Sequence, residues 1–308
     1  MSYVFPGDLW LTQAVQQSGE GLAPLMKLFT WLGYPQAYMI IIAIIYWSID
    51  RKLGLRLAVF LTMVASLNSL LKQAFHAPRP YWLDPQIKAI LPSNGFGMPS
   101  GHAQASTVWL YAAFHLKKYR FWILAVGVAF MVGVSRIYLG VHFPSQVLLG
   151  WVTGILVLVL FSAYESRVLT WFMNRRFTHQ LLGIFGCSLL MLLLGGIFLV
   201  LNKDWAMPLE WIRNSADDLA GRNETILSSV GLGAVAGNSG GFLGTALGAL
   251  LMHRKGGFDA GGMAWKRILR TLTGLAVLTA IYGIFVWTSP DQGEALLYAV
   301  WRFGGFFL

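Results

Sequence analysis

Residues 181–201 read Leu-Leu-Gly-Ile-Phe-Gly-Cys-Ser-Leu-Leu-Met-Leu-Leu-Leu-Gly-Gly-Ile-Phe-Leu-Val-Leu, an uncharged apolar stretch. A helix of about 20 such residues crosses the ~30 Å hydrocarbon core of a bilayer. Comparable apolar runs occupy about 34–49, 53–75, 102–116, 121–140, 145–164, 225–252, 271–287 and 295–308. Charged residues make up only 12% of the 308-residue chain, 56% is hydrophobic, and the mean hydropathy is +0.60. A soluble domain carries about 25% charged residues. The expectation is an all-α polytopic transmembrane bundle of roughly nine spans. Residues 8–31 are broken by Gly19, Gly21 and Pro24 and read as an interfacial helix pair.

The net charge of +10 has a topological explanation and does not call for nucleic acid. One set of alternate loops carries Arg51, Lys52 and Arg56; Lys117, Lys118 and Arg120; Arg167, Arg175 and Arg176; and Arg254, Lys255, Lys266, Arg267 and Arg270. The opposite loops carry Lys27, Lys88, Lys203, Arg213 and Arg222, besides Lys72, Arg79 and Arg136. The positive-inside rule puts the first set in the cytoplasm, the N-terminus outside and the C-terminus inside. The opening MSYVFPGDLW lacks a basic region followed by an apolar stretch, so no cleavable signal peptide is expected. A single cysteine, Cys187, allows no internal disulfide.

Three clusters fall at the outer level. Lys72-Gln-Ala-Phe-His-Ala-Pro-Arg79-Pro80 leaves the second span. Gly97-Met-Pro-Ser100-Gly101-His102 opens the third. Ser135-Arg136-Ile-Tyr-Leu-Gly-Val-His142-Phe-Pro-Ser-Gln146 links the fourth and fifth. Together they supply two histidines, three cations, a serine and a helix N-terminus flanked by glycine. Phosphoryl transfer needs the equatorial oxygens held and the spreading negative charge stabilised. Lys72, Arg79 and Arg136 can do so, Arg as a bidentate fork. Ser100 offers a hydroxyl, and the N–H groups near Ser100 and Gly101 make an anion site. One imidazole can attack phosphorus while the other protonates the leaving oxygen. The sequence shows no carboxylate or thiolate set suited to Mg²⁺, Ca²⁺ or Zn²⁺, so neither a cofactor nor a metal is expected.

The ordered trio, from Lys72 to Gln146, resembles the signature of the type 2 phosphatidic acid phosphatase superfamily. That resemblance implies that His142 is the nucleophile and His102 the general acid, with Lys72, Arg79, Ser100, Gly101 and Arg136 binding phosphate. It implies a lipid phosphate or diphosphate as partner and a phosphohistidine intermediate. The family usually has Asp where this chain has Gln146. A glutamine oxygen can still accept an imidazole N–H but brings no charge, so a less basic nucleophile is expected. Gln146, Gln104 and the Gly-Met-Pro-Ser-Gly-His stretch of residues 97–102 are similar to dolichyl-diphosphatases, which favours a polyisoprenyl diphosphate. Phosphatidate, phosphatidylglycerol phosphate, sphingoid phosphates and lipid A are alternative substrates; phosphotransfer to another lipid and binding or transport without turnover are alternative functions. The expected location is a bacterial inner or plasma membrane with the site facing outward. Residues 1–33 would be interfacial, 34–165 the catalytic core, and 166–308 additional helices.

Other polar positions have plainer readings. His76 is a candidate for the site mouth, and His115, His179 and His253 are bystanders on the cytoplasmic side. Asn68, Ser66 and Ser69 are read as polar contacts between helices. The glycine-rich residues 231–248, with GxxxG spacing at Gly240, Gly244 and Gly248, suit close helix packing. Trp205, Trp211 and residues 213–224 are expected to form an outer hairpin or amphipathic helix near the site.

Overall fold

A computed structural model describes residues 5–93, 95–219, 232–290 and 295–307. Its helices are α1 (Asp8–Gln16), α2 (Ala23–Trp31), α3 (Pro35–Ser48), α4 (Arg51–Phe75), α5 (Pro80–Leu83), α6 (Gly101–Leu116), α7 (Tyr119–Tyr138), α8 (Pro144–Met173), α9 (Phe177–Leu201), α10 (Leu209–Leu219), α11 (Gly233–Arg254), α12 (Ala264–Trp287) and α13 (Ala295–Phe307). No strand occurs among the described residues. Six helical segments are long and apolar enough to cross a membrane, or seven if Glu20–Trp31 and Pro35–Ser48 form one span. The difference from nine comes mainly from length. Helix α6 has 16 residues and α13 has 13; at 1.5 Å per residue neither reaches ~30 Å. In α12 only 11% of the most apolar window is buried within the chain, and in α9 17%, which leaves broad apolar faces for lipid.

The chain divides into two compact units. The first comprises residues 1–34, 67–158 and 197–231. Helix α7 packs on α1, α2 and α6 here, and α10 packs on α5. Small residues allow the close approaches. A Cβ on Gly150 would stand 2.6 Å from the Ser100 carbonyl oxygen, and one on Gly154 would stand 2.7 Å from Thr107 Cγ2, so both glycines seat α8 against α6. Beneath the connecting loops lies a core of Met26, Tyr81, Trp82, Ala89, Phe96, Tyr138, Leu139 and Val141. These bulky groups help to fix the described chain between α4 and α6, where α5 is the only helix.

The second unit comprises residues 35–66, 159–196 and 232–308. Helix α3 packs on α12, and α11 on α13. The glycine-rich stretch does serve packing where it is described: a Cβ on Gly240 would run into the Phe303 carbonyl, whereas Gly248 faces open space. Buried Ser188 donates to the Ser239 carbonyl at 3.0 Å. Arg56 pairs with Glu165 at 3.8 Å. A helix, α10, is present where a hairpin or amphipathic helix is expected; residues 220–224 of that expectation lie outside the described residues.

Candidate active site

All eight motif residues fall in the first unit, on three stretches of chain that meet near the start of α6 and α8. Lys72 sits on the last turn of α4. The helix stops at Phe75, and His76 follows with φ +47°. That left-handed turn redirects the chain toward Arg79, the N-cap of α5, with Pro80 as its first residue. Ser100 is the N-cap of α6, and its Oγ accepts from Ala103 N at 3.5 Å. Arg136 closes α7, and a tight turn brings back His142, where the N–H groups of Val141 and His142 both reach the Arg136 carbonyl.

Two contacts fix the His142 imidazole. Its Nδ1 lies 3.1 Å from Gln146 Oε1, and its Nε2 lies 3.2 Å from Arg79 Nη1. The guanidinium can only donate, so Nε2 is the acceptor and the proton sits on Nδ1, donated to Gln146. Gln146 is itself fixed: Nε2 donates to the Pro78 carbonyl at 2.7 Å, and Oε1 also accepts from Phe143 N at 3.2 Å. A flipped amide would break all three bonds. The longer side chain fits because residue 97 is glycine; a Cβ there would stand 2.6 Å from both amide heteroatoms. His142 is held well below the ordinary histidine range, first by burial and then by the charges of Arg79, Arg136 and Lys72; the bond from Gln146 opposes this. The neutral imidazole, with its Nε2 lone pair toward the cations, is the form of a nucleophile.

Arg79 is 1% exposed and spread over the surrounding loops. Nε donates to Gly95 O at 2.7 Å, Nη1 to Val141 O at 2.8 Å and Nη2 to Phe96 O at 3.4 Å. It thus joins the first and third motifs through backbone carbonyls. Arg136, equally buried, donates from Nη1 to Thr30 Oγ1 at 2.6 Å and from Nη2 to Ser93 Oγ at 2.8 Å, and it hydrogen-bonds Tyr34. Neither Lys72 nor Arg136 meets a carboxylate among the described residues. Buried cations held by neutral groups are costly without an anion, and the cluster therefore suits a phosphate.

His102 has its Nε2 buried without a partner among the described residues. Its ring packs edge-on to Tyr34 at 4.9 Å between centroids. A Cβ on Gly33 would come within 2.5 Å of its Cδ2, so that glycine is what allows the ring its place. The Ser100 N–H donates to the Gln146 carbonyl at 2.9 Å and is not free for an anion; the N–H groups of Gly101 and His102, ahead of the capped Ala103, are the ones placed for that purpose.

Several supporting residues lie outside the motifs. Thr30 and Gly33 come from the segment read as interfacial, Tyr34 from the start of the first apolar run, and Ser93 from the loop before α6. Asp8, 5% exposed, accepts from Ser145 N at 3.1 Å and Ser145 Oγ at 2.6 Å, capping the start of α8 from a distant part of the chain. Asn68 has a local task beyond contact between helices: it donates to Pro99 O at 3.2 Å and Gln104 Oε1 at 2.8 Å, bracing the turn that carries Ser100.

Buried cations, an imidazole with an inward lone pair and a second imidazole at a helix N-terminus form an arrangement suited to a phosphoryl group in an integral membrane protein. Two family patterns match this chain: the PAP2 superfamily over residues 53–170, and the PAP2 superfamily phosphatase transmembrane extension over residues 236–308. The chain belongs to the PAP2 superfamily. It is 31% identical to phosphatidylglycerophosphatase B of Bacillus subtilis over 33% of this chain and 53% of that protein, so the match spans about half of that relative. It is 28% identical to undecaprenyl-diphosphatase of Sulfolobus acidocaldarius over 38% of this chain and 57% of that protein. Among solved structures, a transmembrane PAP2 type phosphatidylglycerolphosphate phosphatase of Bacillus subtilis aligns with a TM-score of 0.46 and 25% identity, covering 56% of this chain and 87% of that one.

Proposed function

We propose that this protein is a metal-independent phosphatase of a lipid phosphate or diphosphate, working through a phosphohistidine on the extracytoplasmic face. The carrying observation is the state of His142. Its Nδ1–H is clamped by Gln146 while its Nε2 points at the Arg79 guanidinium, where a phosphoryl oxygen would be drawn. In the first step Nε2 attacks phosphorus, the bond from phosphorus to the leaving oxygen breaks, and His102 gives that oxygen its proton. In the second step His102 takes a proton from water, the water oxygen bonds to phosphorus, the P–N bond breaks and inorganic phosphate leaves. Lys72, Arg79, Arg136, the Ser100 hydroxyl and the N–H groups of Gly101 and His102 hold the equatorial oxygens.

The outward orientation rests on the uneven loop cations, with the N-terminus outside and residues 34–165 carrying the catalysis. For the substrate we favour a polyisoprenyl diphosphate, attacked at its terminal phosphorus to leave the lipid monophosphate. Gln104, Gln146 and the stretch before His102 support this, as does the diphosphatase name of one relative. The test is phosphate release by purified protein with EDTA present, from polyprenyl diphosphate, phosphatidylglycerol phosphate, phosphatidate and sphingosine phosphate. Release from none of them sinks the reading, and loss of release in EDTA sinks the metal-independent part.

A further inference from the structure

A cavity of about 280 Å³ lies beside the phosphate cluster, in the same unit, lined by Ala74, Phe75, His76, Asn202, Trp205 and Trp211 together with Pro208. It is smaller than the roughly 300–1,000 Å³ of a drug-sized site. His76 stands one helical turn after Lys72, with its N–H on the Lys72 carbonyl at 3.1 Å. Its ring contacts Phe96 at 4.6 Å and Trp205 at 4.7 Å, and the Phe96 carbonyl accepts from Arg79. One aromatic residue therefore separates the cavity from the site cation.

The polar atoms specify what would fit. His76 is 6% exposed, and its Nε2 has no partner among the described residues. The imidazole also bonds the Ala74 backbone, so Nε2 is the ring nitrogen left for a ligand. Asn202 uses Nδ2 on Phe198 O at 2.7 Å and Gln73 O at 3.4 Å, so its Oδ1 is what it can offer a ligand. An imidazole nitrogen, the Asn202 Oδ1 and no cation among the described lining residues suit a neutral hydroxylated group, whose O–H donates and whose oxygen accepts. The tilted Trp205 and Trp211 rings, 6.2 Å apart, add flat apolar faces suited to C–H groups. The left-handed backbone of His76 is a local strain of the kind that clusters at functional positions.

We propose that this cavity is a binding subsite for a small neutral polyhydroxylated group, such as glycerol or a single sugar ring, beside the phosphate site. It deepens the phosphatase reading, and its lipid arm rests on that reading. The group belongs either to the headgroup of the phosphorylated lipid or to a separate polyol.

The experiment uses the full chain in a detergent without sugar. Tryptophan fluorescence is titrated with glycerol and with D-glucose, for wild type, Trp205→Leu and His76→Asn; Asn tolerates a positive φ. The expected result is a saturable change that Trp205→Leu abolishes and His76→Asn shifts about tenfold to weaker binding. KM is then compared for phosphatidylglycerol phosphate, which has a free glycerol hydroxyl, and phosphatidate, which has none. A KM raised about tenfold by His76→Asn for the first lipid alone assigns the group to the substrate headgroup. Unchanged KM for both, with the saturable signal present, assigns it to a separate polyol. No saturable signal together with equal effects on the two lipids overturns the subsite. If wild type hydrolyses neither lipid, the phosphatase reading has failed for these substrates, and the fluorescence titration alone decides: a saturable signal lost in Trp205→Leu upholds the subsite, and its absence overturns it.

Discussion

Replacing Gln146 with Leu keeps similar bulk and removes the amide. Three bonds go: the acceptor for His142 Nδ1–H, the acceptor for Phe143 N and the donor to Pro78 O. Arg79 still favours the same tautomer from the Nε2 side. The loss therefore falls on ring orientation and on the Nδ1–H, which gains positive charge as Nε2 bonds to phosphorus. A buried donor left without a partner costs about 1–3 kcal/mol, which converts to roughly a 5- to 150-fold fall in kcat/KM. The near-isosteric Gln146→Glu tests the missing charge separately. A carboxylate would strengthen the bond to Nδ1 while facing the Pro78 carbonyl with a second acceptor. The sign is definite: a negative neighbour raises the imidazole pKa, whereas losing the Gln146 bond removes an influence that raises it. The acid limb of kcat/KM against pH should move up in Gln146→Glu and down in Gln146→Leu. Substrate ionisation is common to all three proteins and cancels in the comparison. Wild-type kcat/KM within twofold in Gln146→Leu, with an unmoved acid limb, would refute the clamp.

Further outcomes follow from the same geometry. Gly33→Ala puts a methyl against the His102 ring, and phosphate release should fall at least about tenfold if the ring is displaced by an ångström; full activity would mean α2 and α6 part easily. Asp8→Ala removes the acceptor of Ser145 N and Oγ, and unfolding in detergent should show a loss of about 1–3 kcal/mol; an unchanged Tm would show that the cap is dispensable. Arg136→Lys cannot reach both Thr30 and Ser93, and should raise KM about tenfold or more with a smaller effect on folding. In wild type, the acid limb of kcat/KM should lie below the ordinary histidine value, because burial and three cations favour neutral His142.

The cluster of motif residues was legible because its residue types are expensive in a membrane protein. Lys72, Arg79 and Arg136 sit on the sparsely charged side, and His102 and His142 recur beside them at fixed spacing. The supporting residues were not legible, because ordinary side chains reach the site only through distant pairings: Thr30 to Arg136, Gly33 to His102, Asp8 to Ser145. An acid in a largely apolar N-terminal stretch was the one available signal for Asp8. The all-helical class follows from apolar run length, but span number does not. Apolarity marks burial as readily as lipid, and α6, at 16 residues, is apolar partly because α7 and α8 cover it. His76 looked like a residue at the mouth; its role as a cavity wall depends on Trp205 and Asn202, which nothing in the local sequence joins to it.

The most direct measurement is to quench turnover of a labelled lipid phosphate or diphosphate under alkaline conditions, where phosphohistidine survives, and to locate the label by peptide mass spectrometry. The account predicts phosphate on His142, absent in His142→Ala and undiminished by EDTA. Phosphate on another residue, or full turnover by His142→Ala, would contradict it.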